Sequence, residues 1–325
     1  MSDLKKTILE MTRGDLEDIE AAIRENLTPN LEIVSEIAGH ILFAGGKRLR
    51  PLLMTLSAKM CGARRYDPSF STIFEYLHTA TLLHDDLVDE AELRRGKPAT
   101  HSIWGPAAAV LAGDFLLARS LSIAAKTKKS KVIAAIAQVT EEMAQGEIQQ
   151  LTRKKALDLS EAEYMEIIER KTAAAFQGAC LVSAVIAEAS AEKKKALADF
   201  GRHLGIAFQM ADDLLDYDQD AENLGKNPGA DLREGKLTLP VIHALESASG
   251  EERAFMEDII RKDAFSSEEF SALIRLLKRL NGISYTRDMA GAYAEKAKAA
   301  LAVFGPSEPK KILFMIADYA IERNM

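Results

Sequence analysis

The sequence predicts an all-α protein, a single large helical bundle spanning residues 1–325. Three observations carry this reading. No proline lies between Pro106 and Pro228, and Ala, Leu, Glu, Lys and Gln dominate that span. Helix-start signals recur along the chain. No stretch alternates apolar and polar residues as a half-buried strand would, and neither a short repeat nor a Gly/Ser/Pro linker divides the chain. Roughly ten to thirteen helices would fill this length.

The elements follow in order. The N-terminal MSDLKKTILEMTRGDLEDIE is amphipathic and acidic, unlike a signal or transit peptide. AGGKRLRP (44–51) is the first irregular, basic segment. Asp67-Pro68 supplies a cap and a first-turn proline; Phe70, Ile73, Phe74, Leu77, Ala80 and Leu83 then recur at helical spacing and lead into HDDLVDE (84–90). RRGKPATH (94–101) is the second basic break. Ser160 with Glu163 fits a capping box, as does Ser266 with Glu269. Between them stand ADDLLDY (211–217) and the third basic segment, LGKNPGADLREGKLTLP (224–240). The terminal IADYAIERNM either caps the site or simply ends a helix.

Composition narrows the class. With 47% hydrophobic and 28% charged residues the chain suits a soluble globular protein. A net charge of −7 argues against a general nucleic-acid binder. Cys61 and Cys180 are too few and too far apart for a disulfide framework or a zinc site, so both are expected as buried thiols in a reducing compartment. No apolar run approaches the ~20 residues that span a bilayer. A soluble, cytoplasmic protein is the expectation.

The repeated acidic pattern is the strongest chemical signal. On a helix Asp85 and Asp89 share a face, with Asp86 about 100° away. Carboxylates one turn apart repel unless something positive sits between them. Mg2+ suits such a site, because it keeps several waters and bridges one or two carboxylates to substrate phosphates. A solvated acidic face is the alternative. The apolar flanks weigh against it: Leu82, Leu83, Leu87 and Val88 around one motif, Met210, Leu214 and Leu215 around the other. So does the second copy, Asp212, Asp213 and Asp216. A calcium loop at DYDQDAENLGKN (216–227) fails, since Ala221 replaces the turn glycine and Asn227 the terminal glutamate. Two facing helices would thus clamp metal ions that hold a diphosphate.

Basic residues gather beside these motifs. Lys47, Arg48 and Arg50 follow Gly45-Gly46, and Arg94-Arg95 follow the first acidic helix. Arg forks match phosphate oxygens and Lys supplies a point charge. Any one such pair is more often solvated surface. Together with Lys171-Thr172, Gln209, Lys226 and Lys236 they suggest two anionic sites, one reached through metal and one held directly. His78, seven residues before Asp85, falls on nearly the same helical face, where a donor role competes with a structural one; His84 is less favoured.

GGKRLRP, HTATLLHDDLVDEAELRRGKP, KTAAAF, FQMADDLLDY and GKNPGADLREGKLTLP resemble, in order and spacing over essentially the whole chain, the trans-polyprenyl diphosphate synthases, most of all the bacterial octaprenyl type. The resemblance implies an all-α homodimer with a central cavity that adds isopentenyl diphosphate to an allylic diphosphate with three Mg2+ ions. It implies that Asp85, Asp89 and Asp212 bind metal, that Asp86 supports them, and that Asp213 and Asp216 ligate or orient water. Lys47, Arg50, His78 and Arg95 would hold isopentenyl diphosphate. Arg94, Lys171, Thr172, Gln209 and Lys226 would hold the allylic diphosphate, with Lys236 a further contact.

Short-chain relatives place bulky residues four and five positions before the first aspartate; here these are Thr81 and Ala80, both small. Leu77, Tyr76, Ile73 and Phe74 are candidates for the floor of a hydrocarbon channel. From Pro68 to Asp85 a helix rises about 26 Å. A product of around forty carbons, for a quinone side chain, is expected, with a farnesyl or geranylgeranyl product as the alternative. A terpene cyclase, which usually lacks the second DDxxD, and a non-catalytic subunit, with eroded aspartates, fit less well. Membrane contact would be transient, for product release.

Overall fold

The computed structural model describes residues 3–29, 31–63, 66–217, 229–262 and 264–322. The segment 218–228, with Lys226 and most of the tested calcium loop, lies outside the described residues, as do the last three residues of the chain. The fold is all-α, as the sequence predicts, with seventeen α-helical segments among the described residues. That exceeds the expected ten to thirteen because several helices are broken locally. Thr12 separates α1 (Asp3–Met11) from α2 (Arg13–Asn26), and Gly105, at φ 82°, separates α6 (Thr100–Trp104) from α7 (Pro106–Lys126). A five-residue π-turn, Glu169–Ala173, joins α9 (Glu161–Ile168) to α10 (Ala174–Ile186).

One feature is too short for a sequence pattern to show, and one sequence expectation needs correction. A minimal antiparallel strand pair exists, Leu93–Arg94 against Lys97–Pro98. Its two-residue turn, Arg95-Gly96, has φ 53° and 74°, the doubly positive geometry that tight hairpins prefer. Periodicity could not reveal strands two residues long. In addition, α7 is long and apolar enough to cross a membrane by length and composition. Asp114 and Arg119 interrupt it, which is why no continuous apolar run stands out in the sequence. Arg119 donates to the Asn26 carbonyl at 2.5 Å and to Thr28 Oγ1 at 2.7 Å.

Contacts divide the chain into two compact units: residues 1–140, 175–198 and 301–315, and residues 141–174, 199–300 and 316–325. In the first, α5 (Pro68–Val88) is the central element, packed by α2, α4 (Leu49–Met60) and α7. The Asp67 cap is present, accepting from Ser69 N at 2.9 Å. The helix is not merely striped but buried almost all round from Ser71 to Leu77, which a central position requires. Its buried threonines bond locally, Thr72 to the Ser69 carbonyl and Thr79 to that of Glu75, so they bring no unpaired cost. Ile73, Phe74 and Leu77 are at most 1% exposed, each worth about 1.5–3 kcal/mol of burial.

In the second unit α13 (Leu239–Ser247) packs on α9, α15 (Ser267–Arg279) and α16 (Gly282–Ala300). Its core includes Ile206, Met210, Leu239, Ile242, Met256 and Leu273. Both expected capping boxes form, at Ser160/Glu163 and Ser266/Glu269, and a third stands at Ser249/Glu252. Helices α8 (Ser130–Thr152) and α11 (Ala191–Leu215) contribute residues to both units.

Candidate active site

In the first unit the sequence places His78, Asp85 and Asp86 on α5 and Asp89 at its C-cap, one turn beyond Asp85, whose carbonyl accepts the Asp89 N–H at 2.8 Å. Asp85 and Asp89 are half-buried. Asp86 is 1% exposed and turns inward, where Oδ1 accepts from Arg94 Nε at 2.7 Å and also from Arg94 Nη2. A buried carboxylate tolerates its desolvation only through such a forked partner. Its Oδ2 has no hydrogen-bond partner among the described residues.

The basic residues divide into two kinds. Arg48 is 5% exposed and is consumed internally, donating from Nε to Glu20 and from Nη1 to Glu75, each at 2.6 Å, and from Nη2 to the Leu42 carbonyl at 2.7 Å. Lys47, by contrast, is exposed. Arg50 is half-buried with its guanidinium carbon 4.7 Å above the Phe176 ring. Burial, with Arg95 adding like-charge repulsion, brings the Arg50 pKa down to about 10. His78 is half-buried; desolvation, then the charges of Arg50, Arg95, Arg94 and Arg48, hold its pKa well below the usual histidine value. It is therefore a neutral imidazole, able to donate one N–H without adding to the crowded charge. Arg95 donates from Nη1 to the Gly45 carbonyl, tying the hairpin to the glycine loop. A set of cations that destabilise one another, on and beside one helix, is an arrangement that an anion relieves. His84 turns aside, its Nε2 3.2 Å from the Val110 carbonyl on α7.

Of the chain-length candidates, Ala80 is 2% exposed and Thr81 is half-buried. Tyr76 is fully buried, and its hydroxyl donates to the Ile23 carbonyl of α2 at 2.6 Å.

In the second unit Lys171 and Thr172 stand on the π-turn. Lys171 Nζ lies 2.5 Å from Glu147 Oε2 and 2.7 Å from Gln150 Oε1 on α8. Gly146 permits this close approach, since a Cβ there would stand 2.6 Å from the Lys171 backbone nitrogen. Thr172 Oγ1 donates to Gln209 Oε1, and Gln209 Nε2 donates to Asp213 Oδ1, both at 2.7 Å. Tyr164 completes the chain, donating to Asp213 Oδ2 at 2.6 Å. Burial pushes the Asp213 carboxyl up to about 7 despite these donors, and Asp212 and Asp216 add repulsion. Asp216 serves the backbone: Oδ1 accepts from Ala230 N at 2.9 Å and Oδ2 from Asp231 N at 3.2 Å. Desolvation still raises its pKa to about 6. Asp212, half-buried, shares the last turn of α11 with Asp213.

Lys236 Nζ lies 2.6 Å from Glu234 Oε2. A cavity of about 90 Å³ lies within this unit, lined by Gln150, Tyr164, Lys171, Thr172, Gln209, Asp213 and Lys236 among others. The sequence singled out Lys171, Thr172, Gln209, Asp213 and Lys236 separately; the structure gathers them around one cavity. Tyr164, Gln150, Glu147 and Gly146 were missed, because nothing local in their sequence context marks them.

Among the described residues no three His, Cys, Asp or Glu side chains converge as a ready-made metal shell. The donors present nevertheless suit Mg2+: hard carboxylate oxygens, Asp85 and Asp89 half-buried one turn apart, completed by waters and a phosphate ligand rather than by a protein cage.

The sequence pattern of the polyprenyl synthetase family matches residues 31–277. The chain is 36% identical to octaprenyl diphosphate synthase of Escherichia coli over 98% of both sequences. It is 35% identical to geranylgeranyl diphosphate synthase of Methanosarcina mazei, again over 98% of both. The crystal structure of a polyprenyl synthase from Caulobacter crescentus, complexed with calcium and isoprenyl diphosphate, superposes with a TM-score of 0.92 at 40% identity, covering 98% of this chain and 97% of that one. Likeness of this extent in sequence and fold, added to the two acidic motifs and their basic partners, settles the classification: the chain belongs to the polyprenyl synthetase family and is a prenyltransferase, an isoprenyl diphosphate synthase.

Proposed function

We propose that the protein is a Mg2+-dependent, homodimeric synthase that lengthens an allylic diphosphate with isopentenyl diphosphate to about forty carbons, for a quinone side chain. The observation that carries the substrate assignment is the gathering of Arg50, Arg95 and the neutral His78 around α5 and the glycine loop, a concentration of positive charge in a desolvated place that an anionic diphosphate would relieve. In this reading Lys47, Arg50, Arg95 and the neutral His78 hold isopentenyl diphosphate without metal. Arg94, Lys171, Thr172, Gln209, Lys226 and Lys236 hold the allylic diphosphate, and Asp85, Asp89 and Asp212 carry Mg2+, with Asp86, Asp213 and Asp216 supporting. Bound Mg2+ supplies charge neutralisation for the leaving diphosphate.

The chain's own residues then have defined tasks. Lys171 and Lys236 lower the free energy of the diphosphate as its charge develops. The allylic carbon–oxygen bond breaks, the isopentenyl double bond attacks the allylic cation, and a proton passes to the departing diphosphate. No protein nucleophile is needed. Apolar walls exclude the water that would otherwise capture the cation.

Support for a long product comes from Ala80 and Thr81, whose small side chains leave room where bulky ones would close a channel. The relatives' own products differ, so residue size at these two positions, rather than identity, carries the argument. Support for a homodimer comes from α7, which leaves Leu111 66% exposed and Val110 and Leu121 partly so. Chromatography of products made from labelled isopentenyl diphosphate with ten-, fifteen- and twenty-carbon primers tests the length. A terminal product of fifteen or twenty carbons would replace the forty-carbon reading with the short-chain one.

A further inference from the structure

Arg48 is the basic residue of the GGKRLRP loop for which the substrate assignment leaves no task, and the structure gives it an unusual setting. Its backbone is left-handed, φ 48° and ψ 36°, at the N-cap of α4. A non-glycine residue in that region costs about 1–3 kcal/mol unless its surroundings over-determine it. Here they do. Each guanidinium nitrogen donates, to Glu20, to Glu75 and to the Leu42 carbonyl, and both Arg48 and Glu75 are at most 5% exposed. The preceding Gly46 packs directly on this group, for a Cβ there would stand 3.2 Å from Arg48 Nη1 and 3.2 Å from Arg95 Nη1. Lys47 and Arg50 therefore flank a residue whose side chain is bolted to α5, three residues before His78.

Glu75 faces more than Arg48. Its charge also acts favourably on Arg50 and Arg95, opposing their repulsion of each other. A buried acid beside an anion-binding cluster looks counterproductive, because its field repels the ligand. It is explained if its main effect is geometric.

We propose that Arg48 and Glu75 are a positioning pair that fixes the glycine loop on α5, so that Lys47, Arg50, Arg95 and His78 converge on the isopentenyl diphosphate before it binds. This rests on the assignment of that diphosphate to those four residues. Neither member of the pair is assigned to substrate: each Arg48 nitrogen already donates to a protein acceptor, both side chains are buried, and Glu75 is an acceptor. The pair acts by keeping like charges at a spacing they would not hold alone, and a displacement near 1 Å at such a site can cost about a hundredfold.

Two effects of Glu75→Gln oppose each other, which makes the sign decisive. Removing the charge strengthens the local positive field and by itself tightens diphosphate binding. Losing the anchor loosens the loop and weakens it. The test is calorimetric titration of the full-length protein with isopentenyl diphosphate in EDTA, together with separate KM values for the two substrates in the Mg2+ assay. The expected result for Glu75→Gln is about tenfold weaker isopentenyl diphosphate binding, a change of about 1.4 kcal/mol, with the allylic KM within about twofold of the parent. Arg48→Lys, which keeps the charge but loses the fork, should weaken the same substrate in the same sense, so the proposal stays open to refutation even where Glu75→Gln fails to fold. Tighter or unchanged isopentenyl diphosphate binding, or equal rises in both KM values, would overturn the pair. Arg50→Ala, run alongside, separates the failures. If it weakens isopentenyl diphosphate while the pair variants do not, only the pair falls; if it too has no effect, the site assignment falls and the pair with it.

Discussion

Replacing Tyr164 by Phe removes one hydroxyl from a buried, doubly hydrogen-bonded carboxylate in the second unit. Tyr164 and Asp213 are each 3% exposed, and their 2.6 Å bond is one of two side-chain hydrogen bonds to that carboxylate among the described residues. Phenylalanine fills the same volume, so no cavity term enters. The loss depends on charge: about 1 kcal/mol while Asp213 is protonated, and about 1.5–3 kcal/mol once it is ionised. The folded pKa of about 7 lies above the unfolded value of 3.8. Asp213 therefore favours the fold most below pH 4, and that contribution is lost as the pH climbs through 7. Without the hydroxyl, the carboxyl should rise by about one further unit, since each unit is worth 1.36 kcal/mol. Thermal or urea unfolding in EDTA at pH 5 and pH 8.5 reads the difference. Tyr164→Phe should be destabilised at both, by about 1 kcal/mol more at the higher pH. A gap that does not change with pH would mean that Tyr164 serves as packing only, and that the Asp213 hub is misread.

Other outcomes follow from the same geometry. Asp85→Ala or Asp212→Ala should lower turnover by orders of magnitude with little change in circular dichroism or melting; near-normal turnover in either would refute the metal assignment. Gly146→Ala places a methyl 2.6 Å from the Lys171 nitrogen, so the π-turn must shift. We expect about 1–3 kcal/mol lost stability in urea unfolding and a raised KM for the allylic substrate alone. Ala80→Phe should shorten the product seen by chromatography, and an unchanged length would place the channel elsewhere.

Helices with strong local punctuation were legible. Asp67-Pro68, Ser160/Glu163 and Ser266/Glu269 mark starts that the structure keeps, because a cap is a contact between residues two or three apart and needs no tertiary context. Breaks without such marks were not. The π-turn at Glu169–Ala173 arises where α8 presses Gly146 against Lys171, a contact between residues 25 positions apart in sequence. The Arg95-Gly96 hairpin hides inside a charged run. In both places a short irregularity sits at the residues proposed to meet diphosphate, which is where local rules are expected to yield to function.

The basic residues show most clearly what a sequence hides. GGKRLRP presents Lys47, Arg48 and Arg50 as three equivalent cations, and nothing in their spacing ranks them. Burial ranks them: Arg48 is committed to Glu20, Glu75 and Leu42, whereas Arg50 lies over Phe176 with its Nε unpartnered among the described residues. The same division separates Asp86, held by Arg94, from half-buried Asp85 and Asp89. In each motif one charged residue is buried in an internal ion pair, and its neighbours are more exposed. A buried pair of this kind adds little net stability, but it fixes the backbone that carries the neighbouring charges. Charge swaps at Arg48 or Asp86 should therefore perturb binding geometry more than net charge, and changes at Lys47 should do the reverse. If Lys47→Ala raised the isopentenyl KM by less than Arg48→Lys does, the anchoring member would outweigh a direct contact, and loop order rather than cation count would set the affinity of this site.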